Sequence, residues 1–311
     1  MTIASLEGPP STIALRTIRA IRDHLLHLPI PLEDLRPLQP AELAAAVPEP
    51  EWRERILRGM TVLALLERDP GPAQLELLQA TATALGLDAA PVTAFRHVLD
   101  HQFNFVRLDI APRGFQKGAT LGYLRDEGVN GALQIARSLL QQEDPSLASR
   151  YRALATFPIG SLGRAYIAFI DANGFSVPGE RGGPPPPVVR HDCCHVLGGY
   201  GTSAAEECGV LGFQAGFGRN DPFFTILFAL AQLQLGIGSA PLMAAETDQA
   251  SPEEIVQGLE HGSSVSRGLI SHWDPWEDFD KPLAAVRQLY GIHPRHPLNG
   301  SAAAEDAQLA T

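Results

Sequence analysis

The sequence predicts an all-α protein, a multi-helix bundle in which a helical N-terminal domain packs on a metal-binding helical core. Three observations lead there. Apolar residues recur at the spacing of one helix face, as in Ile56, Met60, Leu63 and Leu66 and again in Leu75, Leu78 and Leu85. Helix punctuation stands where those runs begin and end, with Gly86 as a C-cap and Ser203-Ala204-Ala205-Glu206 as a capping box. The composition, 45% hydrophobic and 19% charged over 311 residues, belongs to a globular chain long enough for a full core.

Near the start, Arg16, Arg19 and Arg22 lie against Ile18, Ile21 and Leu25 on an amphipathic helix. Glu7, Glu33 and Asp34 set it apart from an acid-poor transit peptide, and no apolar run with a cleavage site marks a secretory signal, so a surface helix of a cytoplasmic protein is expected. Asp69-Pro70-Gly71-Pro72 joins the next two helices, and a third is expected over about 91–106. This segment, with its glycine turn and Leu85-Gly86-Leu87-Asp88 ending, resembles tellurite-resistance-protein-B-like helical domains. Pro112 and Gly114 place a boundary in 108–118, dividing residues 1–115 from a second domain over 116–296, with a loose tail of small and polar residues over 297–311. Helices are expected at about 131–142 and 162–172, the latter ended by Asn173-Gly174. A strap of four prolines, Pro184 to Pro187, then fixes the entry to a helix at His191. No charged residue occurs over 222–245, a length approaching a membrane span. Gln232, Gln234, Gly236, Gly238 and Pro241 interrupt it, so a buried helix lining an apolar pocket, with Leu162 and Tyr166 opposite, is the expectation.

His191-Asp192-Cys193-Cys194-His195 followed by Glu207 is the strongest chemical signal. On a helix, with His191 at zero, Asp192 falls near ~100° and His195 near ~40°, so three metal-type ligands share one arc. Two imidazoles with one or two carboxylates suit zinc and also non-haem iron. The capping box gives Glu206 to the cap, leaving Glu207, one position on, to the metal. His191, Asp192, His195 and Glu207 are therefore the expected ligands, with Asp192 either the fourth ligand or an orienting neighbour. A second pair, His97 and His101, has the same spacing but no glycine break and no carboxylate at a useful distance; it reads as a polar stripe on an amphipathic helix. Cys194 falls beside His191 on the wheel and is either an alternative soft ligand or a small buried hydrophobe.

The pattern H-D-x-x-H, eleven residues, then E resembles the coenzyme Q biosynthesis protein 4 family, a helical family of ubiquinone biosynthesis. The resemblance extends to Phe157-Pro158-Ile159-Gly160-Ser161-Leu162-Gly163-Arg164-Ala165-Tyr166, to Val196 through Thr202, and to Trp276-Glu277, Pro282-Leu283 and Leu289-Tyr290-Gly291-Ile292, covering about residues 120–296. Cys193, Cys194 and Glu206 depart from the family's pattern. The resemblance implies a polyprenylated aromatic or quinone lipid as ligand, other ubiquinone-biosynthesis proteins as partners, and either oxidative decarboxylation of the ring precursor or a non-catalytic scaffold role. An inner-membrane surface and self-association stay open.

A net charge of −11 argues against a nucleic-acid surface. The three cysteines read as free thiols. A metal phosphohydrolase of the HD type would need a further His upstream in the same domain, and none lies between His101 and His191. A zinc protease would carry Glu where Asp192 stands.

Overall fold

A computed structural model describes residues 1–6, 8–67, 70–88, 90–110, 115–218, 222–238, 244–271 and 273–295. Among these there are fourteen α-helices and no β-strand, so the all-α expectation holds. The helices are α1 (Thr12–Ala20), α2 (Pro40–Ala46), α3 (Pro50–Leu66), α4 (Pro72–Leu85), α5 (Ala90–Leu99), α6 (Phe103–Ile110) and α7 (Phe115–Leu139). They continue with α8 (Pro145–Arg152), α9 (Leu162–Ala172), α10 (Val189–Gly198), α11 (Ala204–Phe217), α12 (Pro222–Leu233), α13 (Pro252–Ser263) and α14 (Leu283–Tyr290). Asp69 and the expected tail over 297–311 lie outside the described residues.

Local chemistry accounts for most helix ends. Pro50 and Pro72 open α3 and α4 at positions where a missing N–H costs nothing, and Gly86 closes α4 in the left-handed region at φ 69°. The helix expected over 91–106 is in fact two. His101 adopts φ 54°, its N–H donates to Val98 O, and the Gln102 N–H donates to His97 O, which is a Schellman termination with histidine where glycine is usual. The linker expected over 108–118 is shorter than read, because Phe115 already opens α7; residues 111–114 lie outside the described residues. The helix expected from residue 131 belongs to this longer one, which bends at Gly128 (φ 57°, ψ −134°), a conformation open to glycine.

The N-terminal helices share a core with the rest of the chain. α12 packs on α3 and α6, and α1 packs on α13, where Arg16 makes a two-pronged ion pair with Glu253 at 2.5 and 2.6 Å. From Phe223 to Leu233 every side chain but Ile226 is buried, which explains why α12 carries no charge. No helix among the described residues is long and apolar enough to cross a membrane.

The closest helix packing joins α11 to α13. A Cβ placed on Gly212 would meet Ile255 O at 2.2 Å, on Gly258 would meet Gly209 O at 2.2 Å, and on Gly262 would meet Phe213 O at 2.0 Å. Only hydrogen fits between these backbones, so the glycines fix where α11 sits and hence where its first-turn carboxylates point. On the other side of α10, the chain around Gly160 and the start of α14 are stitched together. Leu162 N–H donates to Lys281 O, Gly163 N–H to Phe279 O and Leu283 N–H to Gly160 O, at 3.0, 2.8 and 2.8 Å.

Candidate metal centre

The proline strap feeds α10 as expected. Pro185 is extended at φ −64° and ψ 145°, Pro186–Val188 forms one 3-10 turn, and the α-helix follows at once. Gly199 ends it at φ 75°. Two carbonyls of its last turn, those of Val196 and Leu197, accept hydrogen bonds from the Arg287 guanidinium of α14 at 3.0 and 2.9 Å. A cation at a helix C-terminus meets both the unpaired carbonyls and the negative end of the dipole. Arg287 thus ties the C-terminal helix to the helix that carries the histidines.

Ser203 caps α11 as the sequence indicates, its hydroxyl accepting the Glu206 N–H. The return bond differs from a standard capping box. Glu206 accepts the N–H of Gly201 at 3.0 Å and the Ser203 hydroxyl at 2.9 Å. The Gly201 carbonyl in turn accepts Nδ1–H of His195 at 2.9 Å, so Glu206 supports the peptide that orients one histidine. A Cβ on Gly201 would lie 2.4 Å from the Glu206 carboxylate, which would have to move aside.

Glu207 faces the two imidazoles. His191 Nε2 lies 3.2 Å from His195 Nε2, Glu207 Oε2 lies 3.5 Å from His191 Nε2, and Glu207 Oε1 lies 3.4 Å from His195 Nε2. Around zinc, ligand atoms at about 2.0–2.2 Å in tetrahedral angles stand roughly 3.3–3.6 Å apart. The three side chains therefore form a group that could hold a metal ion, and Glu207 Oε2 is buried without a hydrogen-bond partner.

The His195 ring is clamped from behind by Phe169 of α9, centroids 5.3 Å apart and near parallel, and the residue is 2% exposed. Burial works against charge on Glu207, yet the two imidazoles that face it, His191 and His195, hold its carboxyl well below the usual carboxylate range. Burial also disfavours a charged His191, but Glu207 and Asp192 outweigh it and raise its pKa.

Asp192 is outside the group of three, whose ligand atoms all lie within 4.8 Å of one another. One residue along a helix turns the side chain by about 100°, and Asp192 points into an adjoining cavity instead. There burial pushes its carboxyl up to about 6. Cys193 and Cys194 are fully buried, stand outside the ligand group, and are pushed far up by burial, as small apolar residues would be. Cys208 is also buried and accepts the Ser251 N–H.

The cavity has a volume of about 780 Å³, with His191, Asp192 and Glu207 on its wall. α12 supplies Phe228 and Leu233 to that wall, as expected. Leu162 and Tyr166 do not line it: both are fully buried, and the Tyr166 ring packs on Phe279 and Tyr151. The facing wall comes instead from α7 (Ala119, Ile135, Leu139), from Phe175 and from the proline strap.

No known protein family and no curated protein matches the chain in sequence comparison. Its chemistry is therefore read from the site itself. Among the described residues the other histidine pair forms no such group: His97 stacks on Phe105, and His101, beyond the helix end, packs edge-on against Phe103. Missed at the sequence level was Gln214, 2% exposed, whose side-chain amide nitrogen lies 2.8 Å from His191 Nδ1. It stands seven residues after Glu207, two helical turns on, and is the first polar side chain after Cys208 in an otherwise apolar run.

Proposed function

We propose that the chain is a ubiquinone-biosynthesis protein of the kind it resembles. It holds a divalent metal between His191, His195 and Glu207, zinc in the first place and iron in the second, and lodges a polyprenylated aromatic or quinone lipid in the adjoining cavity. The observation that carries this reading is the junction of two imidazole nitrogens 3.2 Å apart, with the two oxygens of one carboxylate 3.4 and 3.5 Å from them, and a cavity of about 780 Å³. That volume is ordinary for a small-molecule site. Phe228, Leu233, Leu211 and Ile135 offer an isoprenoid tail an apolar wall, while His191, Asp192 and Glu207 meet the polar ring. When bound, zinc would polarise a ring hydroxyl or carboxylate as a Lewis acid, and ferrous iron would add oxygen chemistry. The chain's own residues orient the ring, exclude water and, at Asp192, hold or release a proton near neutral pH. With ferrous iron the reaction this favours is oxidative decarboxylation of the ring precursor, in which dioxygen and an external two-electron donor replace the carboxyl by a hydroxyl and release carbon dioxide and water; with zinc no such oxidation is available.

A second reading makes the chain a non-catalytic lipid holder for other quinone-biosynthesis enzymes. It draws on the exposed apolar side chains Leu121, Val129 and Leu133 of α7, the helix that walls the cavity. Protein purified without added metal, examined by elemental analysis and native mass spectrometry, tests the common core of both. About one metal per chain and a co-purifying isoprenoid lipid are expected; a chain free of both contradicts the proposal. Metal-dependent turnover of a short-chain prenylated hydroxybenzoate selects the enzyme, and binding without turnover selects the holder.

A further inference from the structure

Both histidines need a fixed tautomer if both Nε2 atoms are to carry lone pairs. His195 has one, because its Nδ1 faces the Gly201 carbonyl, which can only accept. His191 Nδ1 faces the side-chain amide of Gln214 at 2.8 Å, and an amide offers either a donor or an acceptor depending on which way it is turned.

The lone pair that a metal ligand must carry chooses between the orientations. With the nitrogen toward His191, the Gln214 Oε1 is buried with no donor. A lone pair on His191 Nε2 puts the proton on Nδ1, and that N–H needs an acceptor, which only the oxygen end of the Gln214 amide supplies.

We infer that Gln214 is the positioning residue of His191: its Oε1 accepts Nδ1–H, so that the Nε2 lone pair points at Glu207 and His195. The inference rests on the metal reading proposed above. α11 then supplies a ligand at Glu207 and, two turns later, the support for a ligand on α10. The two histidines are braced alike at Nδ1, one by a backbone carbonyl and one by a side-chain carbonyl. An acceptor on the far nitrogen also makes an imidazole a stronger metal ligand.

The test uses the full chain, with zinc and cobalt(II) as probes, and two substitutions. Gln214→Met keeps the volume and removes the acceptor. Gln214→Glu puts a group there that only accepts. Zinc affinity by chelator competition should fall about 10–100-fold in Gln214→Met, the usual effect of losing such a partner. Gln214→Glu should stay within about threefold of the parent or bind more tightly, with the cobalt spectrum of the parent. Circular dichroism of the metal-free proteins checks that both fold, and the Glu variant alone still decides the matter if the Met variant does not. Equal affinity in Gln214→Met, or a loss in Gln214→Glu as large as that expected for Met, overturns the role of Gln214 while leaving the metal site standing. A folded parent chain that takes up neither zinc nor cobalt overturns the metal reading and this inference together.

Discussion

The chain carries two histidine pairs at the same spacing, His97/His101 and His191/His195, and folds them into different things. α10 runs through both of its histidines and ends afterwards, at Gly199, so the imidazoles stack one turn apart on one face. α5 ends at Leu99, before His101, and the left-handed turn there swings the second ring onto Phe103. The surroundings differ as sharply. His195 is buried under Phe169, braced at Nδ1 and met by Glu207, whereas His101 is exposed. Spacing is thus only half of a ligand pair; the other half is where the helix stops and which carboxylate a neighbouring helix brings.

The largest expected effect separates the two pairs outright. His191→Ala and Glu207→Ala should each weaken zinc binding by more than about 100-fold, beyond what losing a supporting partner does. His97→Ala and His101→Ala should bind as the parent does in the same titration. Equal losses from both pairs would place the metal elsewhere.

Next comes the helix contact that presents Glu207. Gly262→Ala drives a methyl into Phe213 O, and should cost about 3 kcal/mol in chemical denaturation, the upper end of overpacking. It should also weaken zinc binding, because α11 must shift. Gly59→Ala in α3 is the matched control: a Cβ there meets nothing within 4 Å, and the change should stabilise by about 0.5–1 kcal/mol.

Acidity gives a smaller and signed effect. Glu207 is held below its ordinary 4.5, so its contribution to stability is complete above that pH and is lost as pH falls through the depressed value. His191 is held above its ordinary 6.5, so its contribution is complete below that pH and is lost as pH rises through the raised value. The metal-free chain should therefore gain most from this pair between 4.5 and 6.5, and His191→Ala should lower stability there and flatten the fall above 6.5 in a denaturation profile. Zinc affinity should fall steadily on acidification, since a proton and the metal compete for the same lone pair. A flat zinc profile between about pH 5.5 and about pH 8.5 would contradict histidine ligation.

Two substitutions of about 1 kcal/mol sharpen the comparison further. Glu206→Ala removes the acceptor of the Gly201 N–H and should cost about 1 kcal/mol, as cap losses do. Metal should remain bound in that variant, since Glu206 reaches His195 only through the Gly201 peptide. His101→Gly relieves a left-handed residue at φ 54° and should stabilise by about 0.5–1 kcal/mol in thermal unfolding. Loss of stability there would mean that the contact of His101 with Phe103 outweighs the backbone strain.

Much of this was legible in residue order because it is set locally. Ser203, Gly199 and the proline strap punctuate α10 and α11, and the spacing of His191, His195 and Glu207 follows from those two helices. α8 and α13 also carried local signals, Asp144-Pro145 and Ser251-Pro252, each an N-cap followed by proline at the first helical position. The split between α5 and α6 did not, because its left-handed residue is a histidine rather than a glycine. Nor did the α7 wall of the cavity or the place of Gln214 against His191. These depend on how distant helices approach, and the glycines that set the approach of α11 and α13 leave no periodic apolar signal.

Diffraction from crystals grown with zinc, recorded at the zinc absorption edge, tests the central claim most directly. The account predicts a single strong anomalous peak per chain within about 2.0–2.2 Å of His191 Nε2, His195 Nε2 and a Glu207 carboxylate oxygen. A peak at His97 or His101, or none between α10 and α11, would contradict it.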